Sequence, residues 1–319
     1  MLSYNAENYL YGKGRLYFKP VNETGYLDLG NVPKLEIKPT VTKKEHYSSR
    51  DGAKLLDLNP VDTVKMSADF DLEEYSSENL NLAFLGDGVD ESSQSASMVS
   101  GAAITIVADR FVDLGKVNIS SVKLTHGAIT GGTFAVGNTV VGADSAAEGK
   151  IGWFDTGFVE LYNVTGTFES SEVIACAGVS ATTTAAEVQE DIIVTDAASP
   201  TARYVAGEDY NVDVEGGLLR ALSTGDIETT AYVSYDYALT AIQTVAALAN
   251  TECQGELKFI GTPDTGPKFQ VTAWKVNLTI SGSVGLISDD ITAIGMTADI
   301  LDDSTNHASC PFLQIKNLA

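Results

Sequence analysis

The 319-residue chain carries 43 Asp and Glu against 20 Lys and Arg, a net charge of -23, and that balance disfavours sequence-specific DNA binding, whose affinity comes mainly from cationic groups displacing counterions from phosphates. No apolar run reaches the roughly 18 residues of a membrane span, and the opening residues lack a basic-then-apolar export segment, so no membrane anchor or secretory route is expected. Three well-separated cysteines, Cys176, Cys253 and Cys310, make a disulfide framework improbable and read as buried thiols in a chain made in a reducing compartment.

The chain opens with strand signals. Gly14–Lys19 (GRLYFK), Tyr26–Leu29 and Leu35–Ile37 alternate or are aromatic-rich, with a turn at Asn22–Gly25 and Pro20, Pro33 and Pro39 as punctuation. An early β-meander is expected. Residues 40–62 then mix charge with Gly and Pro and lose the alternation, which predicts a loop of about twenty residues; such a loop is either a floppy excursion or an arm that docks on another copy.

Val64–Gly86 is the best-patterned stretch. Val64, Met66, Ala68, Phe70 and Leu72 share one face of a strand, while Lys65, Ser67, Asp69, Asp71 and Glu73 share the other. A serine at 76 or 77 is placed to cap a short helix packed through Leu80, Leu82, Phe84 and Leu85 and expected to end at Gly86. Residues 86–102 are small and polar and predict a linker. Asp87, Asp90 and Glu91 lack the spacing of a calcium loop.

Strand patterning resumes at Ala103, and between 127 and 179 the chain repeats itself. Gly132-Thr133-Phe134 through Gly142 aligns with Gly166-Thr167-Phe168 through Cys176 at an offset of 34, with two aromatic strands around Asp155-Thr156-Gly157 between the copies. Two like hairpins can close into a small barrel and bury faces that neither hides alone. VSATTTAAEVQ is expected to lead out of this module, followed by strands in DIIVTDA, TARYVAGEDYNVDV and LLRAL with a turn at Glu215–Gly217. Towards the end, GELKFIG, FQVTAWKVNLTI, SVGLIS and ITAIGMTADIL read as strands. In the second, the apolar parity flips between Val271 and Val276, predicting a bulge near Ala273–Lys275.

Chemistry is sparse. His46, His126 and His307 are the only histidines, and the least weak metal grouping, His307 with Asp302, Asp303 and Cys310, lacks convincing ligand spacing. No nucleotide-binding or hydrolase motif is present, and pairs such as Asp69 and Asp71 are expected by chance in so acidic a chain. The expectation is therefore a protein that is not an enzyme, with no catalytic residue, metal or cofactor.

The order GRLYFKPVNETGYLDLGNVP, HYSSRDG, the alternating strand with SSENLNLAFLGD, and GELKFIGTPDTGPKFQVTAWKVNLTISGSVGLISDD resembles the major tail tube protein of long, non-contractile-tailed bacteriophages. The similarity covers roughly residues 9–90 and 203–305, and Trp274 departs from it where a proline-like bend would stand. The resemblance implies a mainly β fold of two packed antiparallel sheets with a short flanking helix, formed by 1–126 and 180–319. Residues 127–179 fall outside it, as an inserted β-barrel-like module on the tube exterior. It further implies hexameric rings stacked into a virion tail tube, made in the bacterial cytoplasm, meeting other tail proteins at its ends and letting DNA pass.

On that reading Asp69, Asp71 and Glu73 line an acidic lumen that repels phosphate. Tyr9, Leu10 and Tyr11, with His46, Tyr47, Ser48, Ser49 and Arg50, make contacts between subunits or rings. The alternative from the residues alone is a monomeric carbohydrate-binding or adhesin-type β protein, with a β-rich glycosidase more distant.

Overall fold

The computed structural model describes residues 9–50 and 52–318. It separates into unit 1, which runs to Glu91 and resumes at Gln243, and unit 2, Ser92–Ile242. Unit 1 begins with β1 (Gly14–Pro20), β2 (Leu27–Asp28), β3 (Lys34–Lys43), β4 (His46–Ser48), β5 (Leu55–Leu58), β6 (Val61–Leu72), helix α1 (Ser77–Ala83) and β7 (Val89–Gln94). Unit 2 follows with β8 (Ser97–Thr105), β9 (Phe111–Asp113), β10 (Ile119–Thr125), β11 (Thr139–Gly142), β12 (Glu148–Asp155), β13 (Phe158–Thr165) and β14 (Val173–Cys176). It continues through β15 (Val179–Thr182), β16 (Val188–Glu190), β17 (Ile193–Thr195), β18 (Tyr210–Asp213), β19 (Leu218–Ala221) and β20 (Thr230–Tyr237). The chain returns along β21 (Thr240–Val245) to β22 (Cys253–Gly261), β23 (Lys268–Ile280), β24 (Ile294–Ile300) and β25 (Leu313–Leu318). Both crossings between units fall in β7 and β21, which pair as a two-stranded ribbon.

Unit 1 is built on one antiparallel sheet of order β2-β1-β22-β23-β24-β6-β3, with β25 added to β23. Its two ends face each other, since Leu16 of β1 and Leu35 and Ile37 of β3 line the same cavity of about 10 Å³. The facing layers are thus limbs of one curled sheet. Leu16, Phe18, Phe70, Leu72, Val276 and Met296 fill the space between them at 1% exposure or less, each contributing roughly 1.5–3 kcal/mol by leaving water. The bulge predicted in β23 is present: Gly255 pairs with Val276 but Leu257 with Ala273, leaving Trp274 and Lys275 as the extra length. It falls where β23 changes partner, from β25 up to Ala273 to β24 from Val276. Trp274 uses the bulge to stack on His307, centroids 3.8 Å apart, and donates its indole N–H to the Cys310 carbonyl at 3.1 Å.

The alternating strand and the helix are where expected, with informative differences. Burial on the apolar face of β6 is complete at Ala68, Phe70 and Leu72 and has faded by Val64, which is 50% exposed. Ser76 caps α1 by accepting from the Asn79 N–H at 3.1 Å. The helix ends at Ala83 instead of Gly86, and Leu85 takes the left-handed backbone at φ 52°. Gly86 serves close approach: a Cβ there would lie 2.1 Å from Asn81 Oδ1.

Three expectations are corrected. Residues 40–62 are not a loop but a β-arm: β3 and β6 stay paired from Lys34 and Asp71 out to Lys43 and Val61, and β4 pairs with β5 beyond them. The alternation is lost because both faces of the arm meet solvent and nothing imposes a period of two. Pro39 does not end β3, because an edge strand tolerates a missing N–H. Residues 86–102 are β7 and the start of β8, the latter paired with β20. SVGLIS, in turn, is not a strand; it lies in the irregular connection between β23 and β24.

In unit 2 the order β15-β14-β11-β12-β13-β10 closes on itself, because the chain beyond β10 bridges back to β15 at His126–Thr183 and Thr130–Ser180. VSATTTAAEVQ therefore supplies the closing strand of this small barrel. The repeat is structural. Phe134 and Phe168 are buried alike, as are Val140 and Ile174, and Gly132 with Gly166, and Gly137 with Ser171, all have positive φ. The hydrogen bonds recur too. Gly137 donates to Ile151 and Ile151 to Asn138, while Ser171 donates to Thr183 and Thr183 to Glu172. The barrel has its own core, with Phe134, Ile151, Leu161 and Phe168 at its centre. A second core joins the β8-β20-β17 region to the small sheet β18-β19-β9 through Val194, Tyr210, Leu219, Val233 and Tyr235.

Candidate functional site

Asp69 and Asp71 stand half-buried on the outer face of the unit 1 sheet. Asp69 accepts from the Thr297 hydroxyl at 2.8 Å. Across the ladder Asp71 faces Lys34, Asp69 faces Glu36, and Ser67 lies between Lys38 and Asp299. The face that reads as largely carboxylate along β6 alone thus becomes a mixed one, in which Glu36, Asp69, Asp71 and Asp299 stand among Lys34, Lys38 and Lys65. Glu73, just past the strand, donates its N–H to the Asn31 carbonyl at 3.1 Å, and its carboxylate accepts from the Asn31 amide.

The other predicted residues lie apart from this face. His46 and Tyr47 belong to the arm, where His46 Nδ1 meets Asp57 Oδ1 at 2.6 Å and the Tyr47 hydroxyl donates to Glu45. Ser48 is half-buried, and its hydroxyl accepts from the Arg50 N–H at 3.5 Å; Ser49 and Arg50 are exposed. Tyr9, Leu10 and Tyr11 are exposed, and Tyr11 bridges to Thr265 in the turn between β22 and β23. Because β23 runs alongside β6 in the same direction, with β24 antiparallel between them, that turn and the arm leave the sheet at the same end. The sequence separates these segments by more than thirty positions; the topology brings them together. A cleft of about 440 Å³ near this end is lined by Leu10, Lys13, Ile37, Phe259 and Phe269 among others.

Apolar exposure on the arm is extensive: Val41, Leu55, Leu56, Leu58, Val61 and Val64 are each about half exposed or more. Among the described residues, β3 is paired on one side only, along all ten of its positions, and β25 pairs only with β23. Sequence reading missed this free edge because a strand's partners are set by topology. It missed a second feature too. Leu286, Ile287 and Ile291 between β23 and β24 are 79%, 99% and 84% exposed, the signal being an apolar run with no period to bury it.

Titratable groups inside the units serve packing. Glu160 is buried on β13, and Arg203 grips it through two nitrogens; burial pushes its carboxyl up, and the guanidinium pulls it back only partly. Burial also pushes up Glu172, but N–H donors from Glu169, Ser145 and Asp144 and the Ser145 hydroxyl outweigh it and hold the carboxyl below its ordinary value. Cys176 is buried, and Cys253 and Cys310 are half-buried; burial raises the Cys253 thiol to about 11. His307 is committed to Asp303 and Trp274. Among the described residues no group of three or more His, Cys, Asp or Glu is arranged to hold a metal ion, and no helix is long and apolar enough to cross a membrane.

The family described as protein of unknown function UCP028589 matches over residues 9–177 and 162–314. No curated protein matches the chain.

Proposed function

The chain belongs to the UCP028589 family, and we propose that it is the tail tube protein of a long, non-contractile bacteriophage tail. Closed rings, hexameric as the sequence resemblance implies, stack into a virion tube. The observation that carries this reading is the ten-residue open edge of β3 running into an arm exposed on both faces. Such an edge invites pairing with another chain, and ring closure removes it.

In this assembly Asp69, Asp71 and Glu73 face the lumen, where their charge, with that of Glu36 and Asp299, lets double-stranded DNA slide without adhering. Tyr9, Leu10 and Tyr11 act with His46, Tyr47, Ser48, Ser49 and Arg50 in contacts between subunits or rings, which their shared end of the sheet supports. The 127–179 module lies outside, since a body of that size would obstruct a conduit. Other tail proteins meet the tube at its ends, and the chain is made in the bacterial cytoplasm without cofactor, metal or membrane anchor.

Negative-stain microscopy of the purified full chain at increasing concentration tests the reading. Rings or tubes of uniform width are expected. A strict monomer at high concentration overturns it and favours the adhesin-type or carbohydrate-binding alternative.

A further inference from the structure

Unit 1 has two chemically opposite ends. Along β6 they are separated by the strand itself, which at about 3.3 Å per residue puts Val61 roughly 36 Å from Leu72. The arm leaves at Val61. The connection 281–293 leaves at the other end, because it joins Ile280 to Ile294, and Ile294 pairs with Leu72.

This connection is held in place. Ser281 donates its N–H to the Gly295 carbonyl at 2.8 Å, the Tyr75 hydroxyl donates to the Gly285 carbonyl at 3.0 Å, and the Asp290 N–H donates to the Ser288 hydroxyl at 3.1 Å. On this pinned turn Ile287 is 99% exposed, flanked by Leu286 and Ile291. Residues 281–293 contain Asp289 and Asp290 and no cation. In the arm the balance is reversed: between 38 and 65 lie six of the chain's 20 cationic residues against four carboxylates. Glu45 and Asp57 are engaged by Tyr47 and His46 within the arm, whereas among the described residues none of Lys43, Lys44, Arg50, Lys54 or Lys65 forms an ion pair.

We propose that the 284–291 turn of one copy docks on the arm of a second copy, Ile287 seating on the face of the β4–β5 hairpin that Tyr47 and Leu56 share while Asp289 and Asp290 meet the arm's lysines. A single copy cannot make this contact, because the strand holds its two halves apart. The contact joins unlike surfaces, a head-to-tail relation that extends as a filament where the rotation between copies does not close a ring. It rests on the tube reading and specifies within it the surface that stacks one ring on the next.

The test uses the full chain with Ile287→Asp and Leu56→Asp, both at exposed positions, with thermal unfolding as the control for folding. Each variant is expected to unfold at the wild-type temperature yet to need about tenfold more protein, or greater, to elongate. Mixed, the two retain one intact turn and one intact arm between them, so sedimentation is expected to show assemblies stopping after a single turn-to-arm contact. The double change Asp289→Lys, Asp290→Lys is expected to weaken elongation, and adding Lys43→Glu, Lys44→Glu to restore it. Ile287→Asp chains that elongate at the wild-type concentration, or mixed variants that do not join, overturn this inference while leaving the tube reading intact. A wild-type chain that never assembles overturns both.

Discussion

Glu160 on β13 lies at 1% exposure with Arg203, 43 positions later, bonded to both of its carboxylate oxygens. Removing one partner of such a pair leaves a buried charge without compensation, which costs about 3–5 kcal/mol, whereas replacing both by apolar residues of similar volume is often neutral or stabilising. Arg203→Ala is therefore expected to lower the stability of unit 2 by about that amount, and Glu160→Leu with Arg203→Met to recover most of it. The folded carboxyl is raised, so its contribution is largest below the unfolded pKa and is lost as pH rises through the folded one. The Arg203→Ala deficit should accordingly shrink in acid, as denaturant melts at several pH values would show.

Phe134 and Phe168 occupy equivalent sites in the duplicated hairpins, both essentially fully buried. Truncating either to Ala opens a cavity in the same core, and each change is expected to cost about 3–5 kcal/mol. Near-equal losses in chemical denaturation would follow from the equivalence; one large loss and one negligible one would mean that the two halves do not share the load.

Glu172 carries the opposite pH signature to Glu160. Burial raises its carboxyl, but its N–H and hydroxyl donors win and hold it below the ordinary 4.5. Its contribution is present in full above that value and disappears as pH falls through the folded pKa. Glu172→Gln is expected to cost roughly 1–3 kcal/mol at neutral pH and to flatten the acid limb of the melting curve.

Charge reversal on β6 tests the proposed lumen. Asp69→Lys with Asp71→Lys leaves the buried face of the strand untouched, so tubes are expected to form. They should now retain double-stranded DNA, with affinity falling steeply as salt rises. Reversed tubes that ignore DNA, like the wild type, would remove these carboxylates from the conduit wall.

What could be read in advance follows what burial dictates. The parity of Met66 to Leu72, the serine cap before α1 and the flip at Trp274 were all legible, because each is written within a few residues of itself. The duplicated hairpin was legible too, since two copies of one pattern validate each other. The arm at 40–62 was not, because residues wet on both faces carry no period; its strands exist because β3 and β6 continue past the core. SVGLIS misled for the converse reason, having strand-forming residues but no neighbour to pair with. Around Asp69 and Asp71 the sequence displayed the acids and concealed Lys34 and Lys38, which only the register of β3 sets opposite Asp71 and Ser67.

The ribbon of β7 and β21 has a consequence for how the protein can change. Glu91 and Gln243, the last residue before unit 2 and the first after it, are joined side by side, Gln243 Nε2 donating to Glu91 Oε1 at 3.3 Å. To unit 1, everything between them is the tip of a hairpin, and its length enters the cost of closing that hairpin only logarithmically. Such a junction is a socket: a short turn, or an unrelated domain whose termini lie close together, can be plugged in without disturbing the strands that hold it. A scaffold joined in this way can thus exchange the body between Glu91 and Gln243 wholesale while its own sheet stays the same.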